Sequence, residues 1–327
     1  MKAFMTGATG FIGTHVARRL IASRHELRCL VRRPSPAARE LQSLGATLVA
    51  GDLNNPASLA AGMRGCDWVI HLAGLYSFWE RNRQAFHNVN VNGTRNVMEC
   101  ALETGVPKVV HVSTVGVFGK PADSPFIETS TPGPTRCTEY YRTKAEADVI
   151  VWDLHRSRNL PVVVVYPCAV LGAGDPKATG QFIQNLIKRR LPATVFDDSV
   201  MTFVHVDDVA EVIVRAAEKE GNIGERYVAG SQRMSFREVS RLVSDVSGVG
   251  LPKLQLPGWL AMMNAHALTW LAGLTGKSPM WGMSVDQMQA MREGFSADGS
   301  KAERELCVKY TPVRTAVEEA IESYRNG

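Results

Sequence analysis

Three glycines near the start of the chain constrain its fold more than any other feature. Gly7, Gly10 and Gly13 lie in "MTGATGFIGTHVARRL", directly after the apolar run "KAFMT" (2–6) and at the head of a helical pattern (11–23). Gly7 permits a tight turn, Gly10 lets the backbone approach a pyrophosphate, and Gly13 brings helix and strand close. The helix N-terminus adds N–H groups and positive potential. The spacing is GxxGxxG rather than the commoner GxGxxG, but the physics is the same. The turn predicts a dinucleotide site over 7–13, with Thr9, Phe11 and Ile12 counted beside the glycines; a tight structural turn is the simpler alternative.

The rest of the first half keeps that rhythm. Apolar runs at 2–6, 27–31, 46–50, 67–73, 108–113 and 161–167 read as strands, apolar almost throughout, as strands covered on both faces are. Helical patterns at 11–23, 35–44, 56–63, 88–105 and 138–157 alternate with them. The alternation predicts an α/β chain with a Rossmann-like, doubly wound parallel sheet. After Pro167 the segments 178–190, 207–219, 235–247, 257–272, 283–293 and 311–325 read as helices. Short strands are expected near 203–206 and 226–229. The expected division is a dinucleotide-binding domain over 1–166 and a smaller, mostly helical substrate lobe over 167–327. Segments 203–210 and 226–229 are expected to return to the main sheet. Ligands of such sheets bind outside the carboxyl ends of the strands, so the cleft between sheet and lobe is the expected site.

Composition narrows the function. Of 327 residues, 45% are hydrophobic and 21% charged, the balance of a soluble globular protein. The net charge of +5 is scattered, and Arg32-Arg33 and Lys188-Arg189-Arg190 are clusters too short to argue for nucleic acid. Six cysteines lie far apart without a CxxC pair, and eight histidines show no HxxxH or HExxH spacing. No disulfide framework or metal site is expected, and the thiols suit a reducing cytoplasm. The opening residues lack the apolar run and cleavage site of a secretory leader. The uncharged stretch Leu254 to Gly276 has the length of a membrane span, but Pro257, Asn264, His266 and Gly273 interrupt it. A buried or pocket-covering helix is favoured there over contact with a membrane surface.

The second strand ends "LVRRP". Arg32 and Arg33 would attract a ribose 2′-phosphate, where an NAD enzyme usually places an acid. NADP is therefore favoured over NAD, with Thr14 and Arg18 as weaker contacts. In "GDL" (51–53), Asp52 would accept from the adenine amino group and Leu53 would pack on the ring. In "HLAG" (71–74), small Ala73 and Gly74, with Leu72 beside them, would let the cofactor pass close to backbone.

Motifs in order then carry a resemblance: "TGATGFIG" (6–13), "GDL", "HLAG", "NVNGTRNV" (90–97), "VSTVGVFG" (112–119), "YYRTK" (140–144), "YPCAVLGAGD" (166–175) and "FVHVDDVA" (203–210). With the tail 295–324 they span nearly the whole chain, which resembles the extended short-chain dehydrogenase/reductase family, within the NAD-dependent epimerase/dehydratase superfamily. The branch most resembled holds plant-type dihydroflavonol reductases, bacterial aldehyde or ketone reductases and hopanoid-associated sugar epimerase-like proteins.

The resemblance implies a YxxxK pair, and counting back from Lys144 selects Tyr140 over Tyr141. Residues four apart share a helix face, while Tyr141 points about a quarter turn away. A nearby Lys144 cation would lower the Tyr140 phenol pKa and let it exchange a proton with substrate. Lys144 would also hold the nicotinamide ribose. The resemblance further implies Thr114 as the hydroxyl partner, Ser113 near the nicotinamide, and Asn90 as support behind Lys144. Pro167, Ala169 and Val170 would lie near the carboxamide. Two departures stand out: Tyr166-Pro167 replaces the family's Arg-Pro, and no arginine precedes "FVHVDD", where Met201 and Thr202 stand. A neutral or apolar substrate is thus favoured over a sugar nucleotide. The segment "LYSFWE" (75–80), with Tyr76 and Trp79 foremost, Phe118, Met201 and the run from Trp259 to Trp270 are candidate pocket walls.

The favoured function is an NADPH-dependent reductase of a ketone or aldehyde on a hydrophobic small molecule. A sugar-nucleotide epimerase or dehydratase is the alternative, and a nucleotide-sensing regulator without turnover the third. A homodimer, through helices 88–105 and 138–157, is expected from the resemblance.

Overall fold

The computed structural model describes residues 1–326. Its strands are β1 (Lys2–Thr6), β2 (Glu26–Val31), β3 (Thr47–Ala50), β4 (Trp68–His71), β5 (Lys108–Val112), β6 (Val162–Pro167), β7 (Ala169–Leu171), β8 (Val200–His205), β9 (Arg226–Ala229) and β10 (Gln232–Ser235). Seven form one sheet in the order β3-β2-β1-β4-β5-β6-β9, and every pairing in it is parallel. The expected Rossmann-like doubly wound sheet is thus present. Every residue of β4, β5 and β6 is buried, which explains their nearly continuous apolar runs. Strand order reverses at β1, so a crevice opens between its end and that of β4.

The helix carrying "YYRTK" runs over Glu139–Arg158, and its start is fixed locally. Thr138 accepts a hydrogen bond from Tyr141 N at 3.0 Å, and Glu139 supplies an acid to the first turn. Basic residues fill the last turn, and Asn159 ends it in the left-handed region. The segment read as one helix over 88–105 begins instead as a π-helical turn, His87–Asn92, before the α-helix Gly93–Glu103.

Residues after Pro167 are shared between two layers. β9 extends the main sheet beside β6, whereas β8 pairs with β7 and β10 in a separate three-stranded sheet. The helix Val206–Glu218 packs on the Phe11–Ala22 helix and on β5 and β6, so it covers the main sheet rather than the lobe. A second core, with Leu171, Ile183, Phe203 and Val239, lies beneath the lobe helices. The uncharged stretch forms a helix over Gly258–Thr275, but it is not a buried one: only Ala261, Ala265 and Ala272 are buried. No helix among the described residues is long and apolar enough to cross a membrane.

Candidate active site

A cleft of about 490 Å³ lies between the carboxyl ends of the central strands and the lobe. Gly7, Thr9, Gly10, Phe11, Ile12 and Gly13 line one end, as the motif predicts. Gly7 has φ +77°, and a Cβ there would stand 2.6 Å from Ala73 N; one on Gly13 would stand 2.0 Å from Gly7 O. The N-terminus of the Phe11–Ala22 helix carries no side-chain cap and no acid in its first turn. These free N–H groups and their positive potential fit a dinucleotide pyrophosphate.

The adenine end is more open. Arg32 and Arg33 are exposed at the end of β2 and pair with no acid among the described residues. Arg18 pairs with Glu40 on the surface, and the Thr14 hydroxyl donates to Phe11 O at 3.0 Å. Asp52 accepts from Asn54 N at 2.9 Å. Leu53 is buried, with its side chain beside Gly93. Leu72 and Gly74 line the cleft, while Ala73 donates its N–H to Thr6 Oγ1 at 3.3 Å just behind it.

At the other end the cleft gathers Ser113, Thr114, Tyr140, Lys144, Pro167, Ala169 and Val170. Thr114 caps the short 3-10 turn Val115–Phe118, accepting from Gly116 N at 3.3 Å. That bond uses a lone pair and leaves the O–H to donate. Ser113 is 5% exposed, lines the cleft at the place expected for the nicotinamide, and has its hydroxyl near the buried Asp148 carboxyl. The residues present therefore fit the dinucleotide at its pyrophosphate and its nicotinamide.

Lys144 is 4% exposed, and its Nζ donates to Val112 O at 3.0 Å. Burial pushes the ammonium down to about 8, partly opposed by Asp148. The Tyr140 phenol moves the opposite way from the sequence expectation. Burial raises it above its ordinary value, and Lys144 does not offset the rise. The cause is the burial of the phenol, while the Lys144 ammonium is directed at the Val112 carbonyl. Tyr141 also differs from expectation: it lines the cleft instead of turning away. Its ring lies over Gly116, where a Cβ would stand 2.0 Å from Tyr141 Cδ1.

Asn90, on the π-helical turn, is 1% exposed and fully engaged. Its Oδ1 accepts from Leu75 N at 2.7 Å, and its Nδ2 donates to Thr143 Oγ1 at 3.1 Å and Leu75 O at 3.3 Å. It thus ties the segment before Tyr76 to the Tyr140–Lys144 helix. Such π-turns recur at functional sites.

The pocket walls are partly as read. Tyr76 and Met201 line the cleft, and the Tyr76 ring lies 5.0 Å from that of Tyr140. Phe118 does not: it is buried between Phe126 and Tyr166, 5.2 Å from each ring. Trp79 is also absent from the lining, and Phe78 stands there, 6.1 Å from the Tyr141 ring. Phe78 belongs to the same segment 75–80 that was read as a wall. Trp259 and Trp270 are exposed, 65% and 68%, and wall nothing. Sequence reasoning also missed Asp148, one turn beyond Lys144, and the hydroxyl of Tyr166 that meets it.

Comparison with known proteins agrees with this geometry. A sequence model of the NAD-dependent epimerase/dehydratase family matches residues 3–230. The chain is 30% identical over 332 residues to a putative dihydroflavonol 4-reductase of Synechocystis sp., covering 99% of this chain and 94% of that one. It is 31% identical to sterol demethylase protein B of Methylococcus capsulatus, covering 99% and 98%. Among solved structures it is similar to the crystal structure of gox2253, with 35% identity, a TM-score of 0.84 and coverage of 99% and 98%. The family match runs from β1 through β9, and the chain belongs to the NAD-dependent epimerase/dehydratase family as an NAD(P)-dependent oxidoreductase.

Proposed function

We propose that this protein is an NADPH-dependent reductase of a ketone or aldehyde on a hydrophobic small molecule. The observation that carries the reading is the lining of the cleft beyond Tyr140. Tyr76, Phe78, Phe182, Met201, Met291 and Phe295 form it, and its only cations among the described residues are Lys144 and Lys177. A nucleotide diphosphate carries charge that arginines usually meet, whereas this wall suits an apolar body with one polar reacting group. Relatives named as a dihydroflavonol reductase and a sterol demethylase fit the same substrate class. Arg32 and Arg33, free of acid partners among the described residues, support NADPH over NADH.

When bound, the dinucleotide supplies the hydride that reaches the carbonyl carbon. The glycine turn and helix N-terminus would hold its pyrophosphate, and Ser113 and Lys144 its nicotinamide end. Tyr140 gives its phenol proton to the carbonyl oxygen. A phenol kept protonated by burial is suited to that donor role. The Thr114 hydroxyl donates to the same oxygen and orients it. The aromatic wall excludes water from the reacting bond.

The second reading is a sugar-nucleotide epimerase or dehydratase. Lys177 favours it, standing at the uncapped N-terminus of the Ala178–Ile187 helix in the cleft. NADPH oxidation against a panel of ketones, aldehydes and ketosteroids, with NADH as control, tests the proposal. Turnover of an apolar carbonyl is the expected result. Turnover of a sugar nucleotide with none on any carbonyl replaces the first reading by the second.

A further inference from the structure

The Gly258–Thr275 helix presents an apolar stripe that nothing in the chain covers. Trp259, Met263, Trp270 and Leu274 follow one another at helical spacing and are 65%, 60%, 68% and 64% exposed, with Leu271 beside them. Between Lys253 and Lys277 the chain carries no formal charge. The opposite side of the helix is seated, with Ala265 packed against Met288 and Met291. Met291 in turn lines the cleft. This stripe is therefore a finished surface on a well-held helix, not a loose segment. Contiguous exposed patches of this kind mark interaction sites.

The charges around it point to one occupant. At the helix's N-terminal end stand Lys253 and the exposed run Lys188, Arg189 and Arg190. That run leads into Thr194, which bonds Leu254 O at 2.9 Å and Leu256 N at 3.0 Å. At the other end stand Lys277 and Arg81, whose guanidinium lies beside Gly276. The acids nearby are Asp197 and Asp198, 3.9 and 3.0 Å from the Arg237 guanidinium, and Glu80 next to Arg81. A tryptophan-bearing apolar face with cations at both ends matches a bilayer surface: rings at headgroup depth, ammonium groups against phosphates.

We propose that this helix docks the protein on the surface of an anionic phospholipid bilayer, lying in the plane of the interface without crossing it. Docking is independent of the reductase reading, since it uses no residue of the cleft. The test is flotation with phosphatidylcholine vesicles, with and without a quarter phosphatidylglycerol. The protein should float with the mixed vesicles and be released by salt. Trp270→Ser with Leu274→Ser should abolish flotation, and Lys253→Gln or Lys277→Gln should each weaken binding about five-fold. A circular-dichroism spectrum and melting temperature matching the native protein verify that the serine variant is folded. Absence of flotation by the native protein, or flotation unchanged in the serine variant, overturns the proposal. A dimer in sedimentation that the serine variant dissociates, without vesicle binding, also overturns it and assigns the face to a second copy.

Discussion

The Tyr166 hydroxyl donates to Asp148 Oδ2 at 2.8 Å. It also accepts from the Trp152 indole at 3.2 Å. Tyr140, Lys144 and Asp148 succeed one another at four-residue intervals, so the three share a face of the Glu139–Arg158 helix. The carboxyl group behind Lys144 is itself buried, which raises it above the ordinary carboxylate range. It is the acid that opposes the desolvation of Lys144. A neutral hydroxyl stands where the resemblance implied an arginine, and Lys144 and Arg226 are the cations that favour the ionised form of this acid.

This arrangement predicts a pH-dependent stability without cofactor. Lys144 falls from 10.5 to about 8 on folding. Between those values the unfolded chain holds a proton that the folded chain has released, so stability rises with pH across that window. Below about pH 8 the full burden of the buried ammonium is present, on the order of 3 kcal/mol. Denaturant titrations from pH 7 to 10 should show the rise, roughly, and Lys144→Met should flatten it. Asp148→Asn should extend it to lower pH. Identical slopes in all three proteins would refute the assignment.

Tyr140→Phe removes the proton donor and should lower kcat by roughly 10²–10⁴-fold while NADPH still binds. Tyr141→Phe should do much less. Both rings line the cleft, so position alone does not separate them. Tyr140 shares its helix face with Lys144, whereas Tyr141 is pressed on Gly116. Equal losses in steady-state turnover would place the donor elsewhere.

Replacing both Arg32 and Arg33 by serine should raise the KM for NADPH by roughly ten-fold or more, the scale of charge-assisted hydrogen bonds. The KM for NADH should change little. Cofactor titration of the two forms decides it, and an unchanged ratio would remove the basis for the NADP preference.

Gly116→Ala should damage both stability and turnover. The new methyl would meet the Tyr141 ring at 2.0 Å, and Tyr141 has aromatic neighbours on its other sides. Overpacking of this kind costs about 1–3 kcal/mol. It also shifts the turn that Thr114 caps, so kcat should fall even where the protein remains folded. Thermal unfolding and turnover, measured together, check both parts.

Much of the architecture was legible because it depends on periodicity. β1 at 2–6 and β9 at 226–229 match their apolar runs, and the helix of "YYRTK" starts at its Thr138 cap. The glycine turn was legible because no other residue tolerates its contacts. What escaped lies where no repeating pattern applies. Phe118 was read as a wall, but it closes the short turn Val115–Phe118, whose single turn has no repeat to say that the ring faces the core. The direction of the Tyr140 shift escaped for a related reason. Sequence places a cation near the phenol, but only coordinates reveal that Lys144 is turned to the Val112 carbonyl.

Asn90 binds both polar atoms of Leu75 and the hydroxyl of Thr143 with a single amide group. The wall that would choose the substrate and the helix that would transform it are thereby one mechanical part. New specificity can be introduced by exchanging side chains at Tyr76 or Phe78. A loop of different length before them would pull on the proton donor itself.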